Sequence, residues 1–266
     1  MGEHADHTTL PTHVNSAGES CRQREPLRTL DLFSGIGGFA KGLEHARGFR
    51  TVAFCETGKH ASAILARHWP SIPNIGDVRG AVHAAFSVEV VCGGDPCPTR
   101  SRAKGDRTSK HPDLSGWFLA VVGAKRPRWV VRENVPAPDV VDFAAGLEAV
   151  GYRVAAIALD ARDFTGQSRR REFVCGSLDA GAAGAFQQAV SLAAVGEGFS
   201  ASRAEEETPI AACLTARPMR LAAEDTYCWE PGRGLRVLSG DETEALQGFP
   251  RGWTAGLSER IRRTVC

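Results

Sequence analysis

The sequence predicts an α/β protein built on a parallel sheet with crossover helices, and three observations carry that prediction. From residue 28 onward, apolar runs that suit strands alternate with stretches of helical period. The first apolar run ends in a glycine-rich turn, DLFSGIGGFAKG at 31–42. With 42% apolar and 24% charged residues over 266 positions, the chain has enough core for one globular domain and room for a second small one.

Taken in order, RTLDLF reads as a strand, GFAKGLEHARG as a helix, TVAFCE as a strand, KHASAILARHW as a helix and VEVVCGG as a strand. LSGWFLAVVGAK (114–125) reads as the next helix, RWVVREN as a strand, VVDFAAGLEAV as a helix and YRVAAIALDA as a strand. REFVCGS closes the series as an edge or hairpin strand. Residues 1–26 lack hydrophobic period and read as a flexible leader. Beyond Ser177 the composition turns to Ala, Gly and Ser with weak period, and helix and loosely ordered insert are both open there. Near the end, Ser239 and Glu242 form a Ser-x-x-Glu capping box ahead of a short helix.

Composition also narrows the class. No run approaches the roughly 18 to 20 apolar residues of a spanning helix, so a soluble, cytoplasmic protein is expected, without membrane partners. The eight cysteines show no Cys-x-x-Cys pair, which argues against a zinc site and a disulfide framework and predicts no metal. Net charge is only +1, yet basic residues cluster at Arg100–Lys110, at Arg169–Arg171 and at Arg260, Arg262 and Arg263.

Four constellations are candidates for chemistry. Gly35, Gly37 and Ala40 fit Gly-x-Gly-x-x-Gly/Ala between a strand and a helix, where missing side chains let a ligand approach the backbone. Glu56, 25 positions after Asp31, then suits ribose hydroxyls of a dinucleotide or another adenosine compound. The plain alternative is a tight turn with no ligand. In VCGGDPCPTRSRAKG (91–105), Cys97 is held between Pro96 and Pro98 and followed by Arg100, Arg102 and Lys104, a setting that aims a thiol and can lower its pKa. An inert structural cysteine is the alternative. Glu133, at the end of the next strand, is placed to protonate or hydrogen-bond a ring nitrogen, or else is a surface acid. Gln167, Arg169 and Arg171 point to one face if their segment is extended, either toward a ligand or as charges guarding an edge strand.

In this order the residues resemble the DNA (cytosine-5) methyltransferase family over most of 28–250. The quoted motifs are Asp31-Leu32-Phe33-Ser34-Gly35-Ile36-Gly37-Gly38, Gly93-Gly94-Asp95-Pro96-Cys97 with Ser101, Glu133-Asn134-Val135, Gln167-Ser168-Arg169-Arg170-Arg171, and Arg236-Val237-Leu238-Ser239 with Glu242 and Gln247-Gly248-Phe249-Pro250. The resemblance implies a Rossmann-like S-adenosylmethionine-dependent methyltransferase sheet with a small, poorly defined target-recognition domain. It divides the chain into the leader, a catalytic cofactor-binding domain at 27–177, a target-recognition segment at 178–235 and a return segment at 236–266 that packs on the catalytic domain.

The implied cofactor is S-adenosylmethionine, with Phe33, Gly35, Gly37 and Gly38 at its methionine part, Glu56 on the ribose and Asp77 near the adenine amine, and with Asp31 and Pro96 also among the cofactor-binding residues. The implied catalytic set is Cys97, Glu133, Asn134, Arg169 and Arg171, acting on a cytosine flipped out of double-stranded DNA. Ser101, Arg102, Lys104 and Gln167 are the implied DNA contacts. A bacterial or phage restriction-modification enzyme, monomeric, is the expectation; RNA cytosine methylation and a catalytically impaired DNA-binding module are the alternatives. A nicotinamide dehydrogenase accounts for the glycine-rich turn alone and leaves Cys97, Glu133 and the arginines unexplained.

Three departures stand out. Asp95 and Pro98 occupy positions where the family usually has proline and glutamine, so an extra carboxylate lies beside the thiol. The segment between Arg171 and Arg236 is short, which predicts a short or permissive recognition sequence. The family's closing Gly-Asn-(Ala/Ser)-Val motif would begin about where Arg262-Arg263-Thr264-Val265-Cys266 stands.

Overall fold

A computed structural model describes residues 25–96, 113–136, 139–179, 227–232 and 234–265. Cys97, Ser101, Arg102 and Lys104 therefore lie outside the described residues, as do nearly all of the leader and most of the segment 178–235.

The strands β1 (Leu27–Leu32), β2 (Phe49–Cys55), β3 (Val90–Gly93), β4 (Trp129–Asn134), β5 (Arg153–Asp160) and β6 (Arg170–Ser177) form one sheet in the order β2-β1-β3-β4-β6-β5. The first four pair in parallel, and β6 runs antiparallel to both β4 and β5. Helices α1 (Gly38–His45), α2 (Lys59–His68), α3 (Val78–His83), α4 (Ser115–Lys125) and α5 (Asp139–Ala149) make the crossovers. Parallel strands are covered on both faces, which is why Leu30, Leu32, Val90 and Val91 are all sealed from solvent. Leu30, Leu32 and Val91 share one core with Phe118, Val121 and Val122 of α4 and with Phe143 and Leu147 of α5.

Of the two alternatives open for REFVCGS, edge or hairpin strand, the structure has the hairpin: β6 pairs with β5 and sits between β4 and β5. The hairpin turns back into the sheet because β4 had an open side for its second strand. The helix α3 was not read at all; at six residues it is too short for a period, and its signal is the Asp77 side chain accepting from Arg79 N.

A hairpin, β7 (Tyr227–Glu230) and β8 (Gly234–Val237), leads into the return segment, which continues as α6 (Gly240–Leu246) and α7 (Glu259–Val265). The capping box forms as read: Ser239 Oγ accepts from Glu242 N, and Glu242 accepts from Ser239 N at 2.7 Å. Arg236 grips the same carboxylate with two nitrogens, at 2.8 and 2.7 Å. Buried Glu244 gathers the backbone N–H groups of Gly252, Trp253 and Thr254. That loop reaches the first turn of the sheet, where Trp253 Nε1 donates to Ile36 O at 2.9 Å and its ring stacks on His68 with centroids 3.6 Å apart. Among the described residues no helix is long and apolar enough to cross a membrane, and no group of three or more His, Cys, Asp or Glu is arranged to hold a metal.

Candidate active site

Strand order reverses direction of travel beside β1, and ligand clefts of open α/β sheets form at the carboxyl ends of such strands. Two cavities lie along that edge here. The first, about 580 Å³, is lined by Phe33, Glu56, Asp77, Gly94, Pro96 and Trp117, among others. Its size falls within the range of small-molecule sites, and its mixture of apolar walls with two carboxylates suits an elongated ligand with hydroxyls and an aromatic ring.

The glycine-rich turn shapes this cavity from behind. Phe33 and Gly35 both take positive φ, 53° each, and Gly35 N donates to Glu56 Oε2 at 2.7 Å. Gly58 N donates to Glu56 Oε1 at 2.6 Å. Glu56 is thus fixed by backbone donors while its face stays open to the cavity. Asp77 also lines the cavity, but its carboxylate is engaged by Arg79 Nε and Nη2 at 2.9 and 2.6 Å. That guanidinium holds Asp77 down to about 2.

Other members of the turn sit elsewhere than expected. Gly37 has φ 89°, and a Cβ there would lie 2.5 Å from the Trp69 ring, so its smallness serves packing away from the cavity. Gly38 lines the second cavity instead. Asp31 does not line either one. It stands on the sealed central strand with 0% exposure, and burial first of all pushes its carboxyl up to about 8, with the charges of Glu56 and Glu44 adding to the rise.

The second cavity, about 560 Å³, opens beside the first. Glu133, Gln167, Arg169 and Arg171 line it, as do Gly38 and Phe249. The alternation read in the sequence holds: Gln167, Arg169 and Arg171 share the wall, while Arg170 is exposed. Gln167, expected as a DNA contact, is wholly buried in that wall. Phe249, named in the Gln-Gly-Phe-Pro motif, enters from the return segment, a placement that no local pattern announces.

Glu133 marks the join between the cavities. Arg171 Nε lies 2.7 Å from its Oε1, and a Cβ on Gly94, which lines the first cavity, would fall 2.7 Å from its Oε2. Burial raises the Glu133 carboxyl above its ordinary range, against the pull of Arg171 and Arg169, and the charge of Asp95 adds to the rise. A carboxyl so placed holds its proton more firmly than an exposed one and can deliver it to a ring nitrogen. Asn134 faces the opposite side of β4, where its Nδ2 donates to Asp95 O at 3.2 Å and its Oδ1 accepts from Val135 N at 2.8 Å. It braces the segment that leads to Cys97.

Residues 27–190 match the model of a family described as C-5 cytosine-specific DNA methylase. Among curated relatives, the Type II methyltransferase M2.BsuMI of Bacillus subtilis is 30% identical over 161 residues, covering 56% of this chain and 41% of that protein. The Type II methyltransferase M.HindV of Haemophilus influenzae is 33% identical over 166 residues, covering 58% and 54%. The chain thus spans between about two fifths and about half of the length of these relatives. Among solved structures, the Dnmt2 methyltransferase of S. pombe matches with a TM-score of 0.66 at 16% identity, over 90% of this chain and 93% of that one. The methyltransferase EhMeth of Entamoeba histolytica matches at 0.62 and 14%, over 91% and 93%. At such identities these two speak to the fold.

Proposed function

Because this chain belongs to the C-5 cytosine-specific DNA methylase family, we propose that it transfers a methyl group from S-adenosylmethionine to carbon 5 of cytosine in double-stranded DNA. The observation that carries this reading is Glu133, a carboxyl raised by burial and gripped by Arg171 where two cavities meet.

The first cavity fits the cofactor: Glu56 supplies a fixed carboxylate for ribose hydroxyls, and Phe33 and Trp117 supply apolar surface. Asp77 and Pro96 complete the wall on this reading, and Gly35 keeps the turn open. When bound, S-adenosylmethionine supplies an electrophilic methyl group. The protein's own residues do the rest. The Cys97 thiolate forms a bond to carbon 6 of the flipped base, and Glu133 gives its proton to nitrogen 3 as electron density moves to carbon 5. Carbon 5, now nucleophilic, gains the methyl group. Loss of the carbon-5 proton to a solvent base, breaking of the carbon-sulfur bond and return of the nitrogen-3 proton to Glu133 restore the thiolate, the aromatic ring and the acid. Arg171 holds Glu133, and Arg171 and Arg169 face the same cavity, where they suit the base or its phosphate. Ser101, Arg102 and Lys104 follow Cys97 in sequence and suit the DNA backbone.

The test is methyl transfer from labelled cofactor to duplex DNA and, side by side, to tRNA. Transfer to the duplex, its loss in Cys97→Ala, and a covalent complex of the wild type with DNA carrying 5-fluorocytosine are expected. Labelling of tRNA alone would move the substrate to RNA. No transfer to either would leave a binding module.

A further inference from the structure

The carboxylate of Asp95, two residues before Cys97 in sequence, is turned entirely inward. Arg132 Nε donates to its Oδ1 at 2.5 Å and Arg132 Nη2 to its Oδ2 at 2.9 Å. The same Nη2 reaches Asp139 Oδ2 at 2.8 Å. The side chains of Arg132, Asp95 and Asp139 are 1%, 3% and 7% exposed, and the guanidinium lies 4.5 Å from the centroid of the Phe143 ring. Three elements meet in this triad: the segment leaving β3, the strand β4 and the first residue of α5.

Stability does not account for it. Desolvating three charges largely offsets their attraction, and apolar replacements of such groups are often neutral or stabilising. What the triad adds is a fixed geometry and a fixed charge.

We infer that Asp95 is a positioning residue for the reaction proposed above: through Arg132 it fastens the Gly93–Pro96 segment, which leads to Cys97, onto the strand that carries Glu133. The inference rests on that proposed function. Alternate residues of a strand face opposite sides, so Arg132 and Asn134 hold the segment, by the Asp95 carboxylate and the Asp95 carbonyl, while Glu133 between them faces the cavity. Two carboxylates and one guanidinium also leave one net negative charge here. That charge opposes Arg171 and Arg169 at Glu133 and helps keep its proton in place. Cys97 follows Asp95 by two residues in sequence, and on this inference the same charge acts on its thiol.

The test compares wild type, Asp95→Asn, Asp95→Pro and Asp95→Glu as full chains, with melting temperature recorded for each. The first readout needs neither DNA nor cofactor: the pH midpoint for iodoacetamide alkylation of Cys97, followed on its own peptide by mass spectrometry. Cys55, Cys92 and Cys175 do not compete, since burial raises all three thiols. The midpoint is expected to move to lower pH in Asp95→Asn and Asp95→Pro and to return in Asp95→Glu. The second readout is methyl transfer to duplex DNA, with kcat expected to fall roughly 10- to 100-fold in Asp95→Asn at little change in KM, because misplacement of reacting groups acts on the chemical step. An unchanged alkylation midpoint overturns the inference whatever the activity. A shifted midpoint with wild-type kcat overturns the positioning role. A wild type without any methyl transfer refutes the proposed function, a result separate from both.

Discussion

Arg171 Nε lies 2.7 Å from Glu133 Oε1, across the antiparallel pairing that brings the start of β6 to the end of β4. The contact joins the cation and the carboxyl at the floor of the second cavity, and it opposes the effect of burial on Glu133.

Substitution at either end is therefore expected to act on chemistry rather than on folding. Glu133→Gln removes the proton donor and is expected to lower kcat by roughly 10²- to 10⁴-fold. Arg171→Met removes the group that pulls the carboxyl down, so Glu133 keeps its proton to higher pH. In single-turnover methyl transfer, the alkaline limb of the pH profile is expected to move upward in Arg171→Met.

Neighbouring glycines are expected to separate fold from function. A Cβ on Gly93 would lie 2.2 Å from the carbonyl oxygen of Leu32, a backbone atom that cannot give way, whereas one on Gly94 would meet the end of the Glu133 side chain at 2.7 Å. Gly93→Ala should destabilise the fold by about 1–3 kcal/mol or more. Gly94→Ala should leave the urea midpoint near that of the wild type and suppress methyl transfer by displacing Glu133.

Asp31 gives a prediction for stability against pH. Its folded-state pKa of about 8 lies above the ordinary 3.8, so between those values the native state holds a proton that the unfolded state has lost. The stabilisation is complete below pH 3.8 and is lost as pH rises through the folded value, at a limiting slope of roughly 1.4 kcal/mol per pH unit. Asp31→Asn removes the group, and its urea midpoint is expected to fall less than that of the wild type between pH 5 and pH 7.5.

Glu56 accepts from Gly35 N and Gly58 N, and on the proposed function it also receives the ribose. Glu56→Ala is expected to weaken S-adenosylhomocysteine binding by about 10- to 100-fold in calorimetry, in line with the worth of hydrogen bonds to a charged group. Equal affinity in the variant would separate Glu56 from the cofactor.

Trp253 connects the return segment to the glycine-rich turn by its N–H and its ring. Trp253→Phe keeps an aromatic ring and loses the bond to Ile36 O, a change of about 1 kcal/mol. Trp253→Ala removes both and should cost about 3 kcal/mol, read from denaturant midpoints.

Much of this molecule was legible from residue order alone. Strand and helix patterns located the sheet because parallel strands are apolar throughout and their helices show a period, and the Ser239–Glu242 box is written in four consecutive positions. The place of β6 was not legible, since a hairpin pattern says nothing about which neighbour the second strand will find on its other side. Gly37 and Gly38 looked like ligand glycines because a sequence shows the missing side chain and not the ring of Trp69 or the cavity that claims the space. Asp95 was the hardest. Its partner Arg132 is 37 positions away and the second carboxylate, Asp139, is 44 away, and only the closing of β3 against β4 and α5 puts that guanidinium between the two carboxylates.

The strand β6 runs against its neighbours, and that brings Arg169 and Arg171 to the rim where β1, β3 and β4 end. Among the described residues, the groups assigned a chemical role then belong to one rim, while Gly48 and Gly151, with φ of 81° and 91°, turn into β2 and β5 at the opposite one. For an engineer this is a handle: a fluorophore, a surface tether or a fused DNA-targeting module attached at those two turns would project away from the chemistry.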